Sequence, residues 1–241
     1  YISNKDMETT VNTSMYQEII PKKWRFVWGW YSYYRGSASY GIGKGMNGSN
    51  CLILKSNSND PDLDVDIAIA QKATGLTPGK SYIATAYIKT ENVAAGSGSE
   101  PNFVGIGGHI AVEGAYAAKS ASVTGTTDWT RVTLNIDVVD SDNLNFCLKL
   151  GNSWASSVGT VYFDNITFTE NKNPTKYVIE SEHVRLIIEK SERSVPESVI
   201  QNWLNNLDKI YKAYKELFSG RTPFEGKKNE IRSKELEWNW M

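Results

Sequence analysis

From residue 14 to about residue 169 the chain carries no helix-period segment, only short apolar runs broken by Gly, Asn, Asp and Ser. Leu63, Val65, Ile67 and Ile69 alternate with Asp64, Asp66, Ala68 and Ala70, the period of two that marks a half-buried strand. A strand from Tyr82 to Lys89 follows the turn Thr77-Pro-Gly-Lys80. Residues 103 to 112 read as another, loosened by Gly105, Gly107 and Gly108, either as flattened strand or as a place where something packs close to the backbone. Segments 129–138, 146–150 and 160–169 complete the set. Strands of this length with turn signals between them predict an all-β fold, an antiparallel sandwich or jelly roll.

The pattern changes after Glu170. Asn171-Lys-Asn-Pro-Thr-Lys176 reads as a polar linker, residues 177–189 as one strand, and the remainder opens on an amphipathic helix. Ser194 and Glu197 have capping-box spacing, Pro196 falls in the first turn and Gly220 ends the helix. Ile200, Trp203, Leu204, Leu207, Ile210, Tyr211, Tyr214, Leu217 and Phe218 share one stripe that demands burial. The expected organisation is a β-sandwich over 1–170, a linker over 171–176 and a small α+β segment over 177–241, the leading part of a second domain.

Several chemistries are disfavoured. A net charge of -1 without a Lys/Arg run argues against a polyanion surface such as nucleic acid would need. No apolar run approaches the ~20 residues of a membrane helix. The only histidines are His109 and His183; neither belongs to a His-Glu-x-x-His helix, and no Cys-x-x-Cys pair exists. On a strand, His109 and Glu113 would stand roughly 13 Å apart, too far to grip one ion from that element. The segment 105–108 lacks the Lys-Ser/Thr ending of a phosphate loop, and no Gly-x-Ser-x-Gly elbow occurs. A glycosidase-type carboxylate pair stays open, because acids are plentiful and nothing selects two. As it stands the chain reads as a non-enzyme. Cys51 and Cys147 both sit in strand-like runs, as a disulfide or as two buried thiols. Opening at Tyr1 without Met or leader, the sequence reads as a mature form or an excised fragment.

Aromatic residues supply the positive signal. Eight Trp and thirteen Tyr exceed what a core of this size needs, and Trp24, Phe26, Trp28 and Trp30 alternate on one strand face, followed by Tyr31, Tyr33, Tyr34 and Tyr40. Trp24 or Phe26 is the expected core member, and Trp129 reads as structural. Buried Trp N–H and Tyr O–H groups need partners, so burying the whole cluster is costly. Exposed, such rings suit the apolar C–H face of a pyranose. Trp28, Trp30, Tyr33 and Tyr34 are therefore the candidate glycan contacts, with Tyr116 and Trp154 as weaker ones in loops. A protein interface or core packing is the competing use of the same rings. A second feature is the pair Glu8 and Asp164. If first and last strands are neighbours, these acids meet and call for Ca²⁺, aided by the loop Met46-Asn-Gly-Ser-Asn50 through Asn47 and Asn50. By spacing alone they read as unrelated surface acids.

Four segments carry a family likeness in order and spacing. Asn4-Lys-Asp-Met-Glu8 resembles the Asn-x-x-Phe-Glu opening of carbohydrate-binding modules of the family 4, 9 and 22 type, with Met7 in place of Phe. Leu76-Thr-Pro-Gly-Lys-Ser-Tyr82 with Ala86-Tyr-Ile-Lys89, Gly125-Thr-Thr-Asp-Trp-Thr130 and Gly159-Thr-Val-Tyr-Phe-Asp-Asn165 follow. The resemblance covers about residues 1–170. It implies a galactose-binding-like jelly roll, a structural Ca²⁺ held through Glu8 and Asp164, polysaccharide ligands such as glucans or xylans, and a place on a secreted, modular, bacterial protein. More weakly, segments 177–186, 207–214 and 222–227 resemble the entry segment of bacterial zinc metallopeptidases of the gluzincin, M60-like kind. No metal ligand carries over from that likeness. It implies an alternative, the front portion of a secreted peptidase whose sandwich is a spacer or protein-interaction domain.

Overall fold

The computed structural model describes residues 1–12, 19–28, 38–56, 67–95, 106–112, 118–151, 157–189, 196–218 and 229–232. The chain forms two compact units. The first comprises Tyr1–Leu76, Ile83–Ile136 and Ser141–Glu170; the second joins Asn171–Met241 with Thr77–Tyr82 and Asp137–Asp140.

The first unit is an all-β sandwich. A two-stranded ribbon pairs β1 (Thr10–Asn12) with β2 (Ile19–Pro21). One sheet contains β3 (Arg25–Trp28), β6 (Ile67–Thr74), β8 (Gly108–Val112) and β10 (Asn143–Leu150), in the order β3-β6-β10-β8. The other contains β4 (Ala38–Lys44), β5 (Asn50–Ser56), β7 (Tyr82–Ala95), β9 (Gly125–Ile136) and β11 (Ser157–Glu170), in the order β4-β5-β11-β7-β9. Strand β10 runs antiparallel to β6 and β8, and β5 runs antiparallel to β4 and β11.

Alternation along β5 shows how the second sheet is built. Leu52, Leu54 and Ser56 are buried on its inner face, while Ile53 and Lys55 reach increasing exposure on the outer one. Rings close the interior: Phe146 meets Trp24 and Phe168 edge-on at 6.3 and 6.0 Å. Trp24 is accordingly core, and Phe26, half-buried, stacks on Tyr40 at 5.2 Å. The sheets approach closely at Gly108, where a β-carbon would strike Val161 Cγ2. Gly107 has equally little room, against the Val123 carbonyl. What packs close to that glycine run is the protein itself.

Some expectations are corrected. Strand β6 is not half-buried: Ile67 through Gln71 are all buried, so side chains on both of its faces are covered. Residues 63–66, the first part of the alternation, lie outside the described residues, as do 103–105. Cys51 and Cys147 are buried and not joined in a disulfide. His109 is buried on β8.

In the second unit, segment 177–189 is a hairpin of β12 (Lys176–Glu180) and β13 (Val184–Glu189), not one strand. A third strand, β14 (Asn229–Arg232), pairs parallel to β13, and α1 (Glu197–Leu217) lies between them in sequence. Val184, Leu186 and Ile188 pack with Ile200 and Leu204 into a small core that Ile179 and Leu207 border. A core therefore forms where one strand and one helix could not have enclosed one. Pro196 precedes the first helical residue as N-cap; Ser194 of the capping box and Gly220 lie outside the described residues. The apolar stripe is wider than its burial. Trp203, Ile210, Tyr214, Leu217 and Phe218 stay 40 to 79 % exposed. No described helix is long and apolar enough to cross a membrane.

Candidate functional site

The opening segment is folded around Asn4. In the left-handed region (φ 48°), which Asn tolerates, it takes the Thr9 N–H on Oδ1 at 3.0 Å and donates Nδ2 to the carbonyls of Thr9 and Lys22. Its own carbonyl accepts the Met7 N–H at 3.2 Å and the Trp24 indole N–H at 3.3 Å. Met7, at φ 59°, is fully buried in the Phe position of the motif. The first strand does not pair with the last. Instead the Lys5 carbonyl accepts the Ile166 N–H at 3.2 Å, which brings the opening segment to β11.

Glu8 and Asp164 then meet one turn from two sides. That turn is the 3₁₀ element Met46–Gly48 with its flanks Gly45 and Ser49. Glu8 Oε1 accepts the Asn50 N–H at 2.8 Å. Asp164 Oδ2 accepts the Met46 N–H and the Ser49 hydroxyl, both at 2.8 Å, and Oδ1 takes the Asn165 N–H at 2.6 Å. Asp164 is fully buried, so it is no surface acid. Three neutral donors hold its carboxylate, and among the described residues no Lys, Arg or His lies in ion-pair reach. A buried charge of this kind is ordinarily paired or metal-bound.

The oxygens at this turn suit a hard cation. Asp164 Oδ2, the Asn50 carbonyl and Ser49 Oγ all lie within 2.8 Å of where a β-carbon on Gly45 would stand, so glycine alone leaves that cradle open. The single Ser49 proton is shared between the Met46 carbonyl at 2.5 Å and Asp164 Oδ2, which crowds acceptors further. Asp164 with the Ser49 hydroxyl and the Asn50 carbonyl is an all-oxygen set of the kind Ca²⁺ takes, and Glu8, held on the Asn50 N–H, is the second carboxylate at the same turn. Among the described residues no group of three or more His, Cys, Asp or Glu gathers, so any ion at this turn would rely on neutral oxygens beside the carboxylates. Asn50 belongs to the turn through its backbone, whereas Asn47 lies exposed at its tip with left-handed φ 53°. Cys51 borders the site; burial, then the nearby Asp164 charge, pushes its thiol up to about 11.

The aromatic candidates fare differently. Trp30, Tyr33, Tyr34, Tyr116 and Trp154 lie outside the described residues, as does the Trp28 side chain; the Trp28 backbone sits opposite Ala68 beside a bulge in β3. Tyr40, also of the cluster, is buried. Trp129 is half-buried within β9.

A feature not singled out from the sequence lies on the outer face of the five-stranded sheet. Tyr162, between inward Val161 and Phe163, lies across toward β7 and donates its hydroxyl to Glu91 Oε2 at 2.9 Å. Lys89 Nζ lies over one face of the ring, 5.4 Å from its centroid, and 3.5 Å from Glu91 Oε1. Burial, followed by the bond to Glu91, raises the Tyr162 phenol to about 12, so it stays a neutral donor at any ordinary pH. Beyond Ile53, which pairs with Tyr162 across β5, the edge strand offers Gly41, whose missing side chain leaves open space. The signal lay in Tyr162-Phe-Asp, where alternation puts Tyr162 outside when Phe163 is inside.

The sequence matches no protein-family model and no curated protein. Solved structures are similar in fold at low identity. One is a carbohydrate-binding module described as CBM4, 17% identical with a TM-score of 0.44 over 71% of this chain and 100% of that one. Another is a CBM61 module in complex with β-1,4-galactotriose, 11% identical with a TM-score of 0.42 over 71% and 98%. A third is the CBM22-1–GH10 portion of Clostridium thermocellum endo-1,4-β-D-xylanase 10B, complexed with xylohexaose. It is 14% identical with a TM-score of 0.40 over 75% of this chain and 30% of that one. The metallopeptidase likeness of residues 177–241 finds no support in these comparisons. His183 stacks on Tyr211 at 4.6 Å and donates its backbone N–H to Asp208.

Proposed function

We infer that the sandwich is a non-catalytic glycan-binding module, taking polysaccharide or glycoprotein glycan on the outer face of its five-stranded sheet. The observation that carries this reading is the Tyr162 ring, held at its hydroxyl by Glu91 and flanked by the low floor of Gly41 and Ile53. A pyranose stacks its C–H face on such a ring and turns its hydroxyls to a carboxylate and an ammonium, here Glu91 and Lys89. Because the ring is anchored before the ligand arrives, little conformational freedom is lost on binding. In this reading Trp28, Trp30, Tyr33, Tyr34, Tyr116 and Trp154 add further stacking contacts, and the module directs a secreted, modular protein to its substrate.

Ca²⁺ belongs to the reading as a structural ion. Asp164 and Glu8 would supply charge, and Asn50, with Asn47, would add neutral oxygen. The ion would neutralise the buried carboxylate and lock the Gly45–Asn50 turn to both ends of the sandwich. The test is affinity electrophoresis of the whole chain through gels containing a panel of polysaccharides. Tyr162→Ala is expected to abolish retardation with unchanged circular dichroism, while Tyr162→Phe, keeping the ring, retains most of it. Unaltered retardation in Tyr162→Ala removes this face from the proposal.

A further inference from the structure

The charges around Tyr162 are not balanced, and their imbalance speaks to the ligand. On the β7 side, Lys89 is answered by Glu91 at 3.5 Å. On the β5 side stands Lys55, paired across the ladder with Thr160 of β11 and Ser39 of β4, one outward position along from Ile53. Lys55 is exposed, and among the described residues no acid lies in ion-pair reach of it. The remaining acid on this side of β11, Asp164, is buried under the Met46–Ser49 turn and engaged by three donors, so it offers Lys55 nothing. The face therefore presents an anchored ring and an uncommitted ammonium on its flank.

We propose that the glycan taken by this face is anionic, a polysaccharide bearing carboxylate or sulfate groups, with Lys55 meeting the acid while Tyr162 carries the sugar ring. The inference rests on the glycan-binding reading and names its ligand class. A neutral chain would leave the Lys55 ammonium to water and gain nothing from it. An acidic one gains a charge-assisted hydrogen bond beside a ring that already fixes the sugar's plane.

The experiment runs the full chain through gels containing polygalacturonate, fully methyl-esterified polygalacturonate, chondroitin sulfate or neutral xylan. Retardation by polygalacturonate or chondroitin sulfate is expected, and which of the two retards separates carboxylate from sulfate. Esterification should abolish the first. Lys55→Gln should weaken binding about fivefold, the range of a solvent-exposed charge contact. Lys72→Gln, an exposed lysine of the other sheet, should change nothing, which separates a site from bulk charge. Salt at about 1 M, where screening acts within ~3 Å, should weaken retention in parallel. Equal retardation by the esterified gel, or an unchanged Lys55→Gln variant, overturns the proposal. Retardation by xylan alone, lost in Tyr162→Ala, overturns the charge assignment and leaves glycan binding standing; retardation in no gel takes down both.

Discussion

His109 donates Nδ1–H to the Gly107 carbonyl at 3.0 Å from inside the sandwich, with Lys149 and Lys119 as its charged neighbours. Burial above all, and those two ammonium groups, lower its pKa to about 4. Above about pH 6.5 the imidazole is neutral in folded and unfolded chains alike, and it costs nothing. Between about 6.5 and 4 the unfolded chain binds a proton that the folded one refuses, so stability falls as pH falls, by up to roughly 3 kcal/mol. Urea unfolding across that window should show the decline, and His109→Gln, which cannot titrate, should flatten it relative to wild type. Asp164 tests a different kind of burial. Asp164→Ala strands the Met46 and Asn165 N–H groups, while the Ser49 hydroxyl keeps the Met46 carbonyl, with an expected loss of about 2–4 kcal/mol in the same assay. An effect below 0.5 kcal/mol would mean that water replaces the carboxylate at no cost.

Helix α1 shows how an element's sequence pattern can be true and still overstate its burial. Ile200 and Leu204 pack on Val184, Leu186 and Ile188 of β13, whereas Leu217, on the same predicted stripe, is 79 % exposed. A three-stranded sheet covers only a narrow arc of a helix. Leu204→Ala should therefore destabilise the second unit by about 2–4 kcal/mol, read by amide exchange in α1, and Leu217→Ala by almost nothing. Strands were legible as short apolar runs, such as the one around Cys51 that is β5, and the one alternation read as half-burial was misread. In β6 both faces are covered, so the small residues Ala68 and Ala70 are as buried as Ile67 and Ile69. The β12–β13 hairpin escaped notice because Ser181-Glu182-His183 has neither Gly nor Pro. Its bend is made by Ser181, whose backbone N–H donates to the Val184 carbonyl and whose hydroxyl accepts the Val184 N–H. Asp208 of α1 takes the His183 N–H, a partner no local window reveals. At the candidate site the acids were legible through a family-like motif, but Tyr162 was not, since its importance comes from Glu91, 71 positions away.

For the whole molecule, the proposed ion supplies the sharpest test. A ligand that binds only the folded state stabilises it by about 2.7 kcal/mol at a hundredfold excess over Kd. Calorimetry should accordingly show the first unit melting higher in millimolar Ca²⁺ than in chelator, with Asp164→Asn and Glu8→Gln blunting the difference. Identical melting curves would remove calcium from the account. The order in which the chain is made adds another consequence. The Asp164–Met46 bond spans 118 positions and the Ser49–Asp164 bond 115, while Glu8 to Asn50 spans 42. During synthesis, at roughly 5–20 residues per second, the turn emerges about 6–24 seconds before the acid that anchors it. Until β11 leaves the ribosome, the early strands have no closing clasp, and a nascent chain halted short of Asp164 would carry the lock without its key.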